Sequence, residues 1–191
     1  MIKINWKWIS YLPLFLILIL SGISSANSKI EKGGEYFTKV NIWYEKPGKI
    51  PSTNYHKGNI LKAGAKVKIN DFNKKGIKFT DENTKVKYFI VLFQKHTNYK
   101  IEEFCELYFL KENVLEPGSG ALYKFTKDEQ ENIQKGTIAM GMSKDAVIMS
   151  YGYPPTHATS SLKDDKWTYW QNRFIKVIVN FKDNVVIGIG K

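Results

Sequence analysis

The chain has 191 residues and a formal net charge of +11, with 29 basic residues against 18 acidic ones. Apolar residues make up 43% and aromatics 14%, which excludes a disordered tail, and the length excludes a large catalytic barrel. A lone cysteine, Cys105, excludes an intramolecular disulfide framework, and no Cys and His set has zinc-ligand spacing.

The first residues read as an address. Lys3 and Lys7 give a positive front, Ile9 to Leu20 is an apolar run, and Ser24-Ser25-Ala26 offers the small side chains that a signal peptidase reads. Cleavage is expected after Ala26. The alternative, an uncleaved anchor, is disfavoured because the run is shorter than the roughly 18 to 20 residues a bilayer requires and contains Pro13. Ile23 follows Leu20-Ser21-Gly22 at the place of a lipid-bearing cysteine. The expectation is an exported, periplasmic protein, with outer-membrane association left open. A basic exported surface suits anionic lipid headgroups or polyanionic wall polymers, the alternative being a merely solvated, lysine-rich surface. Residues 27–115 hold most of the excess, 17 basic against 10 acidic residues. Because Arg173 is the only arginine, no selected nucleic-acid readout is expected.

Residues 27–34 form a polar lead ending in Gly33-Gly34, and the residues beyond it alternate. Tyr36, Val40, Ile42 and Tyr44 predict strands that Lys46-Pro47-Gly48 breaks with a turn. Val67 and Ile69 alternate with Lys66 and Lys68, and strands Ile77 to Thr80 and Val86 to Phe93 flank the polar loop 81–84. Short strands on short loops predict a small all-β barrel over 35–112. At its end Ile101, Phe104, Cys105 and Tyr108 share one helix face and Glu102, Glu103 and Glu106 the other, so Cys105 reads as a core side chain. Residues 113–125, rich in Gly and Pro and poor in apolar residues over 113–120, read as a linker.

The second module spans 126–191. Thr126 and Glu129 form a capping box for a helix ending near Gly136, and Ser143 caps a second helix ending at Gly152 before Tyr153-Pro154-Pro155. Three strands follow. Trp167 and Tyr169 share a face, as do Ile175, Val177, Val179 and Phe181, and Asp183-Asn184 turns the chain into Val185, Ile187 and Ile189. Two helices over a three-stranded antiparallel sheet give an α+β, ααβββ two-layer domain.

The second module resembles the SmpA/OmlA/BamE family of small bacterial envelope domains. The resemblance rests on Gly141-Met142-Ser143, Val147, Gly152, Pro154, Trp167-x-Tyr169, Val179-x-Phe181 and Val185-x-Ile187. The first module, through Asn54-Tyr55, Gly58, Ile60-Leu61, Gly64 and Val67, is similar to bacterial Src-homology-3-like barrels. The family resemblance implies a non-catalytic accessory of outer-membrane assembly that stabilises protein partners and contacts anionic lipid.

No catalytic constellation emerges from the residues themselves. Cys105 with His96 or His157 would make a thiol enzyme, but a core thiol is inert. His56, His96 and His157 stand in loop-like positions and read as surface histidines, and Asp164-Asp165 lacks neighbouring oxygen ligands for a metal. No cofactor and no metal are expected.

Two recognition surfaces are candidates. Trp170 points away from the helices, and with Tyr153, Pro154, Pro155 and Arg173 it has the composition of a protein-contact patch, the alternative being that the barrel packs there. In the barrel, Trp43, Tyr44 and Tyr55 either line a peptide or glycan groove or fill the interior. The leading expectation is therefore an envelope assembly or stabilising factor, and the second a module whose barrel binds peptidoglycan or a peptide.

Overall fold

The computed structural model describes residues 29–190; the leader segment 1–26 lies outside the described residues. Alternation in the first module produces strands as read: Val67 and Ile69 are fully buried between exposed or half-exposed lysines. The strands are β1 (Glu35–Thr38), β2 (Ile42–Tyr44), β3 (Ile50–Pro51), β4 (Asn59–Leu61), β5 (Lys66–Asn73), β6 (Gly76–Asp81), β7 (Lys87–Val91) and, after helix α1 (Ile101–Tyr108), β8 (Phe109–Leu110). Six of them form one sheet in the order β3-β7-β6-β5-β1-β8, while β2 and β4 pair separately. The expected barrel is thus a curled half-barrel, since β3 and β8 are its ends and do not join. α1 lays Phe104, Cys105 and Tyr108 on this core, as its periodicity predicts.

The second module begins at α2 (Lys127–Lys135) and α3 (Lys144–Tyr151) and ends with β9 (Lys166–Trp170), β10 (Lys176–Lys182) and β11 (Val185–Gly190), paired in the order β11-β10-β9. Thr126 and Ser143 cap the helices as expected, their side chains accepting from Glu129 N and Ala146 N. Trp167 and Tyr169 are fully buried, and Trp167 meets Phe181 at 4.6 Å between ring centroids.

β10 buries Val177, Val179 and Phe181 on one face as expected, whereas its start and the face of β11 differ from the expectation. Ile175 precedes β10 and is exposed, and β11 buries Val186 rather than Val185, Ile187 and Ile189. The turn is responsible. Asp183 and Asn184 both take left-handed φ, 51° and 64°, closing a two-residue hairpin that pairs Lys182 with Val185. Lys182 faces solvent, so Val185 does too, and Val186 falls opposite buried Phe181.

Residues 113–125 also pack. Val114 and Leu122, the latter in a single 3₁₀ turn (Ala121–Lys124), are buried in the second core together with Ala63 from the first module. Polar side chains complete the junction. Asn41 Nδ2 donates to Ile133 O and Ser150 O at 2.7 and 3.0 Å, and its Oδ1 accepts from Ala63 N at 2.9 Å. Asn54, in left-handed conformation, donates to Tyr151 O and Tyr153 O at 2.8 and 3.1 Å. At the end of α2, Gly136 takes a left-handed φ of 70° and a Cβ there would press on the side chains of Ile60 and Trp43, so glycine suits this approach.

Candidate functional site

Trp43 and Tyr44 lie side by side on β2, where pairing with Ile60 and Asn59 of β4 fixes their positions. Tyr55 comes from the loop after β3, next to the left-handed Asn54. The three converge on one cleft of about 380 Å³ shared with Glu45, Lys46, Lys49, Pro51, Lys57 and Phe93. Lys46 and Lys49 are set by a turn in which Lys49 N donates to Lys46 O at 3.0 Å, and Phe89 N ties that turn to β7 through Pro47 O at 2.9 Å. Lys57 pairs with Glu45 at 2.8 Å, whereas Lys46 and Lys49 have no ion-pair partner among the described residues.

The aromatic walls are braced from behind. Tyr44 meets Tyr88 edge-on at 5.2 Å, with the Tyr88 hydroxyl donating to that of Tyr44 at 3.5 Å. Burial, then the Tyr44 hydrogen bond, raises the Tyr88 hydroxyl above its ordinary value. Trp43 packs edge-on against His56 at 5.5 Å and Tyr151 at 6.0 Å. Its indole N–H is buried without a partner among the described residues. The cleft therefore combines rigid aromatic faces with free ammonium groups, a set suited to a ligand with stacking surfaces and negative charge.

The second predicted patch is largely consumed by packing. Pro154 and Pro155 are buried, and Tyr153 packs on the first core. Trp170 is half-buried. Its backbone forms a parallel bridge with Tyr55, its carbonyl accepts from His56 N at 3.0 Å, and the Lys176 ammonium lies 4.9 Å from its ring centroid. Of the five, Arg173 alone is exposed, its guanidinium 4.7 Å from the ring of the exposed Phe174. The Trp170 end of β9 is covered because Tyr55 and His56 of the first module lie against it.

His56 corrects the surface reading. It is 5% exposed, stacked on Tyr151 at 3.6 Å, with Nε2 at 2.6 Å from Tyr151 O and Nδ1 at 3.3 Å from Trp170 O. Burial lowers it to about 4, against the two carbonyls, which pull it upward. His96 and His157 are exposed but not isolated, with centroids 4.6 Å apart and His157 stacked over Trp170 at 6.3 Å.

Cys105 is fully buried, and burial, reinforced by Glu102 and Glu106, pushes its thiol up to about 12. Asp165 pairs with the buried Lys144 ammonium at 3.3 Å, and Asp164 accepts from Ser160 and Ser161, so this acidic pair is engaged by protein partners. Sequence reasoning named the three cleft aromatics. It missed Lys46, which read as a turn residue, Lys49, which carried no signal, and Phe93, the last residue of an apolar run. No protein-family model, curated protein or solved structure matches the chain.

Proposed function

We propose that the protein is an exported, periplasmic envelope accessory that works by contact, and that its half-barrel holds a cell-wall glycan in the cleft of Trp43, Tyr44 and Tyr55. The observation carrying this reading is the convergence of those three aromatics with two unpaired lysines in one cleft. Aromatic faces stack on the apolar faces of sugar rings, and ammonium groups meet the carboxylates that peptidoglycan carries. The resemblance of the first module to Src-homology-3-like barrels and of the second to the SmpA/OmlA/BamE family accords with a non-catalytic envelope role.

Sedimentation of residues 27–191 with purified peptidoglycan tests it. Lys46→Glu with Lys49→Glu is expected to weaken wall binding at least about tenfold, with an unchanged melting curve, since two attractive contacts become repulsive. Equal sedimentation of variant and parent would overturn the reading. The exposed Phe174 beneath Arg173 favours a second reading, assembly through a protein partner such as the outer-membrane machinery that the family resemblance implies. An envelope protein crosslinked from position 174, together with unaltered wall binding by the lysine variant, would favour it.

A further inference from the structure

A second cleft of about 690 Å³ opens on the other side of β7, lined by Lys74, Lys75, Phe89, Lys95 and His96 among others. Phe93, 39% exposed, lines both clefts. The ridge between them is built into the sheet: Pro51, which lines the first, is the in-register partner of Val91, which lines the second. Ser52 N donates to Val91 O and Phe93 N to Ser52 Oγ, both at 3.0 Å, so the junction is fixed by the backbone. Lys74 and Lys75 stand at the β5–β6 turn, where Lys75 N donates to Asn73 Oδ1 at 2.9 Å and Leu92 N to Lys75 O at 2.9 Å. Gly76 closes that turn at φ 140°, and a Cβ there would run into the Ile90 carbonyl.

Charge decides what would lie along such a surface. Lys74, Lys75 and Lys95 have no ion-pair partner among the described residues, and the sole carboxylate lining either cleft, Glu45, is engaged by Lys57. We propose that the two clefts form one track over Phe93 for a linear anionic polysaccharide, with repeated negative groups meeting lysines on both sides of β7. This rests on the glycan-binding reading of the first cleft and extends it to the length and charge of the ligand. Neither cleft contributes an arginine fork for bidentate phosphate contacts, which favours a glycan over a nucleic acid.

The test uses residues 27–191 and fluorescent oligogalacturonates of about four and about sixteen residues, read by anisotropy at several salt concentrations. The longer probe is expected to bind at least about tenfold more tightly. Lys74→Glu, Lys75→Glu and Lys95→Glu together should abolish that advantage, leave the short probe within about twofold, and flatten the salt dependence of the longer probe. Far-UV circular dichroism checks that the variant folds. If the triple variant keeps the length advantage while Lys46→Glu and Lys49→Glu abolish binding of both probes, the first cleft stands and the track is overturned. Failure of the parent to bind either probe, with wall sedimentation intact, also overturns the track but not the first reading. Equally tight, equally variant-sensitive binding of single-stranded DNA of matched charge overturns the glycan assignment.

Discussion

His56 faces a carbonyl with each ring nitrogen, and a neutral imidazole has one N–H to give. The proton belongs on Nε2, where the contact is 2.6 Å, leaving Nδ1 beside a carbonyl that the His56 backbone N–H already satisfies. The ring is therefore held neutral, its titration lowered to about 4 by burial, while in the unfolded chain it titrates near its ordinary 6.5. Between these values the unfolded state takes up a proton that the folded state refuses. Stability should thus decline as pH falls from about 6.5 toward about 4 and level off below, by roughly 3 kcal/mol from this group. Urea midpoints at pH 7 and pH 4.5 should separate less in His56→Gln than in the parent; equal separation would assign the acid sensitivity elsewhere. This role was illegible in the sequence, because what buries His56 are Tyr151 and Trp170, 95 and 114 residues away.

At the scale of elements, helix ends were the most legible feature. Capping is local chemistry, written in the four residues that carry it: Thr126 N donates to Glu129 Oε2 at 3.0 Å while Glu129 N returns a bond to Thr126 Oγ1 at 3.3 Å. The local pattern did not disclose that the other oxygen of Glu129 accepts from Ser143 N and Oγ, at 2.8 and 2.7 Å, tying the start of α3 to α2. Burial pushes this carboxyl upward, but the donors of Ser143 and Thr126 outweigh it and hold the carboxyl below its usual value. Thr126→Ala should cost about 1 kcal/mol, the loss of one cap. Glu129→Ala should cost about 3 kcal/mol, since it leaves donors of two helix starts without their acceptor. Equal losses in urea denaturation would show that the bond between helices contributes nothing. The buried face of β11 was less legible: the Asp183-Asn184 turn stands where it was read, but it pairs Val185 with solvent-facing Lys182, so Val186 faces the core while the more numerous apolar residues Val185, Ile187 and Ile189 face outward.

For the whole molecule, the division at 113–125 was drawn from composition, whereas packing runs across it. Val114, Leu122 and Ala63 share the second core, and Ile148 touches both cores. Asn41 joins three chain segments with three hydrogen bonds. The two modules should consequently unfold together: far-UV circular dichroism and tryptophan fluorescence of residues 27–191 should give coincident transitions. Separate transitions would mean that the junction is too weak to couple them. The ααβββ order itself was legible because period, caps and turn chemistry all agreed; the half-barrel's open edge was not, because closure depends on strand pairings between residues far apart in sequence.

Trp43 has one more consequence. It stands two residues along the chain from Asn41, on the strand that both walls the cleft and abuts the α-helical layer. A polymer drawn taut against that indole would pass its load directly into the amide fastening β2 to α2 and α3. Handle and anchor adjoin on one short stretch of chain, so a tethered molecule would bear tension through the hydrogen-bonded junction of the two modules rather than through a loose rim.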